Sequence, residues 1–74
     1  MTTQEHPDYG LIARRIRAKR LERRMTQEKL AEHIDMSDKY VSYIETVKKK
    51  PSLKALCRIA RVFGTTLDFL VFGD

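Results

Sequence analysis

The stretch T26-Q-E-K-L-A-E-H-I-D-M-S-D-K-Y-V-S-Y-I-E45 decides the fold. It holds two short helical patterns separated by a break at Asp35–Met36–Ser37. Thr26 and Ser37 each stand where a hydroxyl can accept from the free backbone N–H groups of a first helical turn. Glu28 suits the positive end of the first helix. Leu30, Ala31 and Ile34 form one apolar face, and Val41 and Ile44 form another.

Counted from Gln27 as the first position, Leu30 is fourth, Ala31 fifth, Ile34 eighth, Met36 tenth, Val41 fifteenth and Ile44 eighteenth. This is the spacing of a helix-turn-helix. The fifth position must be small, because the second helix crosses close to it, and alanine meets that need. On a wheel of about 100° per residue with Asp38 at zero, Ser42 falls near about 40°, Thr46 about 80°, Lys39 about 100° and Tyr43 about 140°. Val41 and Ile44 fall at about 300° and 240°, on the opposite side. Asp38, Lys39, Ser42, Tyr43 and Thr46 therefore form one outward polar stripe. Its mixture of donors, acceptors and an aromatic ring suits base-pair edges in a major groove. Asp38 has two readings: acceptor from a cytosine amino group, or a carboxylate that complements its own helix N-terminus.

Outward from this pair, Leu11, Ile12 and Ile16, with Ala13 and Leu21, recur at helical spacing and predict a first helix from Tyr9 to about Arg23. Ser52 opens a fourth helix with Leu53, Leu56, Ile59, Ala60 and Phe63 on one side, and Gly64 is its left-handed stop. Thr65 or Thr66 opens a short fifth helix, LDFLVF, stopped by Gly73. Between the third and fourth helices run Val47 and Lys48, Lys49 and Lys50, closed by Pro51, which biases Lys50 away from helix. No segment alternates with period two, so the expected fold is all-α with five helices. Residues 1–8 are expected to be a frayed polar arm and residues 9–74 a single domain.

The chain carries a net charge of +5 over 74 residues. Residues 14 to 54 hold 13 Lys or Arg against 6 Asp or Glu, a net of +7, while the remainder carries Arg58 and Arg61 against Glu5, Asp8, Asp68 and Asp74, a net of −2. A positive centre of this kind attracts polyanions. The lone cysteine, Cys57, permits no intrachain disulfide and suits a reducing compartment. It reads as a packing residue between Leu56 and Ile59. His6 and His33 have no partners at metal-ligand spacing, and a structural zinc needs about four ligands, so no metal or other cofactor is expected. No apolar run approaches the roughly 18 residues of a membrane span, and the N-terminus lacks the pattern of a signal peptide. A cytoplasmic location, with no membrane partner, is the expectation. No acid, base and nucleophile fall together near His33 or Cys57, so the chain does not read as an enzyme.

Five ordered stretches, IARRIRAKR, MTQEKLAEHI, the helix ending in YIE, PSLKALCRIARVFG and TTLDFLVFG, together resemble the phage-repressor and Cro-like (XRE-type) helix-turn-helix regulators over Ile12 to Gly73. The resemblance implies a bacterial or phage-encoded DNA-binding transcription regulator that inserts its third helix into a palindromic operator. It assigns base contacts to Asp38, Lys39 and Tyr43, and Ser42, on the same outward stripe, joins them as a candidate base contact. Phosphate contacts fall to Gln27, Thr46, Lys48, Lys49 and Lys50. It pairs Arg20 with Glu45, joining helix one to helix three, against the competing reading of Arg20 as one more phosphate contact. Thr46-Val47 replaces the family's common Asn-Gly, and Asp35 stands where its turn often has glycine. The surplus apolar surface of the fifth helix, Leu67, Phe69, Leu70 and Phe72, predicts a homodimer. The alternatives on the same scaffold are a restriction-modification controller and an antitoxin-type protein-interaction module.

Overall fold

The structure is a computed structural model that describes residues 6–74. Among these residues the chain forms five helices and no strand: α1 (Tyr9–Glu22), α2 (Gln27–Ile34), α3 (Asp38–Glu45), α4 (Leu53–Phe63) and α5 (Leu67–Phe72). Each helix begins on a side chain that accepts from its own first turn. These are Asp8, Thr26, Ser37, Ser52 and Thr66. Asp8 Oδ1 accepts from Gly10 and Leu11 at 3.0 and 3.2 Å, so the last residue of the expected loose arm is the cap of α1. Residues 1–5 of that arm lie outside the described residues.

The helices end with equal regularity. The backbone N–H groups of Met25, Met36, Lys48 and Thr65 donate to the carbonyls of Arg20, Ala31, Tyr43 and Ala60 at 2.8 to 3.0 Å. Each closure wraps one left-handed residue, Arg24, Asp35, Val47 and Gly64 respectively. This is the Schellman stop, which glycine adopts at least cost. Only Gly64 among the four is glycine. Asp35 tolerates the conformation through its short polar side chain, whereas Val47, at φ 61°, is β-branched and carries steric strain there.

The core lies where α1, α2, α3 and α4 meet, and α5 closes it from one side. It comprises Ile12 and Ile16 of α1, Leu30, Ala31 and Ile34 of α2, Val41 and Ile44 of α3, Leu56, Ile59, Ala60 and Phe63 of α4, and Leu70 of α5. Three expected core positions are corrected. Leu21 and Leu53 are 52% and 69% exposed, and Cys57 is also exposed. Leu21 sits in the last turn of α1 and Leu53 in the first of α4, each on a side of its helix that faces solvent. Cys57 falls between the inward lines through Leu56 and Ile59 and turns outward with Lys54, Arg58 and Arg61.

Candidate nucleic-acid interface

The packing of Val41 and Ile44, both essentially fully buried, fixes which side of α3 meets solvent. Asp38, Lys39 and Tyr43 are exposed, and Ser42 is half-buried. Asp38 differs from the others in position and commitment. It lines a shallow acidic depression with Glu28 and Glu32 of α2. Its Oδ1 accepts from the N–H of Lys39 at 3.0 Å, so one carboxylate oxygen serves its own helix N-terminus. Lys39 and Tyr43 make no side-chain hydrogen bond among the described residues.

The following loop is fastened to the same helix. Lys48 and Lys49 both donate their backbone N–H to the carbonyl of Tyr43, at 2.8 and 3.2 Å. The Thr46 hydroxyl donates to the carbonyl of Ser42 at 2.8 Å, so its proton is engaged inside the helix and only its lone pairs face outward. The Lys49 ammonium sits 5.8 Å from the centroid of Tyr40, and that of Lys50 sits 5.3 Å from Tyr9. Exposed lysines are thereby held over aromatic faces.

Below the stripe, Glu45 collects donors from two other helices. Arg20 Nε and a terminal nitrogen of the same guanidinium donate to its two oxygens at 2.8 and 3.0 Å, and Gln27 Nε2 donates at 3.1 Å. The side chains of Arg20 and Glu45 retain only 8% and 2% exposure. The remaining guanidinium nitrogen of Arg20 donates to the carbonyl of Met25 at 2.7 Å. Three helices thus converge on one carboxylate at the C-terminal end of α3. Gln27, half-buried at the start of α2, braces this knot with its amide nitrogen.

Three cations that read as surface charge have other work. Arg15 donates to the carbonyls of Leu70 and Val71 in the last turn of α5, at 3.1 and 3.0 Å. Arg23 donates to Val62 and Phe63 at the end of α4. Arg58 donates to Ile34 at the end of α2, at 2.9 Å. Each neutralises the negative end of a helix and satisfies carbonyls that have no partner within it. No local sequence signal marks these roles, because the partners lie 55, 40 and 24 positions away. Glu45 cancels the charge of Arg20, while these three arginines keep theirs but turn their donors toward the protein. The cations free to donate to a polyanion therefore include Lys39, the run Lys48 to Lys50 and those on the outer face of α1.

In α5 the expected interface set needs one correction. Leu70 is fully buried. It turns toward α1 and α4, so it belongs to the core and cannot meet a second subunit. Leu67 and Phe69 are half-buried, and Phe72 is 46% exposed. Lys19 Nζ lies 5.1 Å from the centroid of Phe69. Between α1 and α5 runs a groove of about 320 Å³ lined by Leu11, Ala18 and Phe69 and edged by Arg14, Arg15, Lys19 and Glu22.

Comparison with known proteins places this arrangement. A helix-turn-helix family profile matches residues 16–70. An uncharacterised HTH-type transcriptional regulator of Archaeoglobus fulgidus is 38% identical over 61 residues, covering 81% of this chain and 87% of the relative. The immunity repressor protein of Bacillus phage phi105 is 37% identical over 60 residues, covering 81% of this chain but 42% of that longer protein. Among solved structures, the P22 c2 repressor in complex with a synthetic operator superposes with a TM-score of 0.82 at 26% identity, over 86% of this chain and 97% of that one. The chain therefore belongs to the helix-turn-helix transcriptional regulators of the phage-repressor, Cro-like type, a family of regulators rather than enzymes.

Proposed function

We propose that this protein binds double-stranded DNA sequence-specifically as a transcriptional repressor, laying α3 in the major groove of a palindromic operator. The observation that carries the reading is the outward face of α3, where Lys39, Ser42 and Tyr43 stand beside a lysine-bearing loop hydrogen-bonded to Tyr43's own carbonyl. Lys39 reads guanine O6 and N7, and the Tyr43 ring packs on a thymine methyl. Lys48, Lys49, Lys50 and Gln27 meet the flanking phosphates; Thr46, its hydroxyl proton engaged by the Ser42 carbonyl, drops out of the expected phosphate set, and Asp38 lies at the edge of the readout. The P22 c2 repressor, which shares the fold at 26% identity, was solved on an operator.

The operator is read by a homodimer formed through the exposed edge of α5. Phe72, with the half-buried Leu67 and Phe69, offers the apolar surface. The groove beside Phe69, edged by Arg14 and Lys19, complements the acidic Asp68 and Asp74 of a second copy. In that dimer the two α3 helices reach half-sites about 10 base pairs apart, one turn or about 34 Å along the duplex. The domain proper is residues 9–74, and no helix among the described residues is long and apolar enough to cross a membrane, in keeping with a cytoplasmic regulator.

Selection of binding sites from a random duplex pool tests the proposal. Enrichment of an inverted repeat with half-sites one turn apart is expected. A pool that returns unenriched, or tight co-purification with a protein and no duplex selectivity, refutes it in favour of an interaction module.

A further inference from the structure

Tyr40 lies on α3 but outside the readout stripe, half-buried against the core. Its hydroxyl accepts the backbone N–H of Ser52 at 2.9 Å, across the whole α3–α4 loop. Ser52 is the cap of α4, and its own hydroxyl accepts from Ala55 at 3.1 Å. The face of the Tyr40 ring carries the Lys49 ammonium, 5.8 Å from its centroid. One turn further along α3, the Tyr43 carbonyl holds the other end of the loop through Lys48 and Lys49. The loop is therefore pinned to α3 at both ends, by a main-chain acceptor at its start and a side-chain acceptor at its close.

We infer that Tyr40 is a positioning residue for the phosphate-binding loop, fixing Lys49 and the start of α4 relative to the recognition helix. The inference rests on the DNA-binding reading above. The physical case is one of entropy. Lys48 to Lys50 are exposed, and nothing in the loop itself is buried enough to hold it. A lysine-bearing loop that wanders loses side-chain and backbone freedom on meeting a phosphate, and that loss subtracts from affinity. Pinning the loop in advance removes much of it. Because the pin is on α3, the register of the phosphate contacts is set by the same helix that reads the bases. The strain of Val47 at the loop's start is tolerated for the same closure.

The test is Tyr40→Phe, which keeps the ring, its packing and the face presented to Lys49 and removes only the acceptor. Three quantities are measured: the melting temperature, amide hydrogen exchange at Ser52, and affinity for selected and unrelated duplexes. The expected result is a folded protein in which the Ser52 amide exchanges about tenfold faster or more, while core amides of α1 and α4 keep their protection. Affinity falls about three- to tenfold on both duplexes alike, the scale of one ordinary hydrogen bond. Lys49→Ala in the Tyr40→Phe background costs less affinity than in the wild type, so the pair is coupled, whereas Lys39→Ala combines with Tyr40→Phe additively. Unchanged duplex affinity with accelerated Ser52 exchange overturns the positioning role and leaves the DNA-binding reading standing. Additivity of Tyr40→Phe with Lys49→Ala overturns it too. Failure of the wild type to bind any duplex is a different outcome: it refutes the underlying reading, and the inference with it.

Discussion

Replacing Arg20 by alanine is the most revealing single change this structure suggests. Glu45 keeps 2% side-chain exposure, and of its three donors Arg20 supplies two, the third being Gln27. Removing the guanidinium leaves a buried carboxylate with one neutral donor, a change that costs about 3–5 kcal/mol in comparable buried pairs. The carbonyl of Met25 is also left without its donor, which adds about 1 kcal/mol. At about 0.05–0.15 kcal/mol per residue a domain of 74 residues has roughly 4–11 kcal/mol in all, so Arg20→Ala stands near the edge of unfolding. Urea titration followed by helical circular dichroism reads the loss. With a slope of about 1 kcal/mol per molar, the midpoint falls by about 4–6 M, or the protein is unfolded outright. The second half of the test separates charge burial from packing. Arg20→Met combined with Glu45→Leu removes both charges, and such apolar replacements of buried pairs are neutral or stabilising. The double variant is expected to recover at least about 2 kcal/mol relative to Arg20→Ala. A single variant that loses less than about 1 kcal/mol, the scale of an exposed pair, refutes the reasoning. So does a double variant no more stable than the single. In either case the buried pair is not what holds α1 to α3.

Four further outcomes are expected. Val47→Gly relieves a β-branched residue at φ 61° whose side chain is half exposed, and it should stabilise the fold by about 1 kcal/mol; a lower melting temperature would count against the strain. Arg58→Ala strips the cap from the end of α2 and should cost about 1–2 kcal/mol, whereas Arg17→Ala, exposed, should stay within about 0.5 kcal/mol; equal losses in urea titrations would dismiss the capping role. Lys39→Ala should cost about 1–3 kcal/mol on the selected site and far less on unrelated duplex, while Lys48→Ala should weaken both and lower the salt slope by about 1 for each phosphate no longer neutralised; identical behaviour of the two variants in binding titrations would erase the distinction between base and phosphate recognition. Phe72→Glu should give a folded monomer in sedimentation equilibrium with sharply weaker binding to the palindrome, and a variant that still sediments as a dimer would move the interface off α5.

The sequence by itself determined the helices and the direction in which α3 faces. The capping hydroxyls of Thr26, Ser37, Ser52 and Thr66 and the stop at Gly64 act on backbone groups within a turn of themselves, so their effect is written in the local order of residues. The spacing of Leu30, Ala31, Ile34, Val41 and Ile44 set the apolar faces, and with them the outward set of Lys39, Ser42 and Tyr43. Periodicity gives an angle around a helix, but it does not say which sector of that helix the neighbouring helices cover. For that reason Leu21, Leu53 and Cys57 read as core and stand in solvent, while Leu70 read as interface and is core. The arginines show the same limit more sharply. Arg15, Arg23 and Arg58 are indistinguishable in composition from Arg14 or Arg17, and only the meeting of distant helix ends turns them into caps, whereas the pairing of Arg20 with Glu45 was already implied by the family resemblance. Tyr40 belongs with them: its hydroxyl gains a purpose only when the loop returns α4 to within hydrogen-bond distance of α3. A long side chain's role depends on which backbone carbonyl, carboxylate or amide arrives beside it, and that is a property of the closed fold.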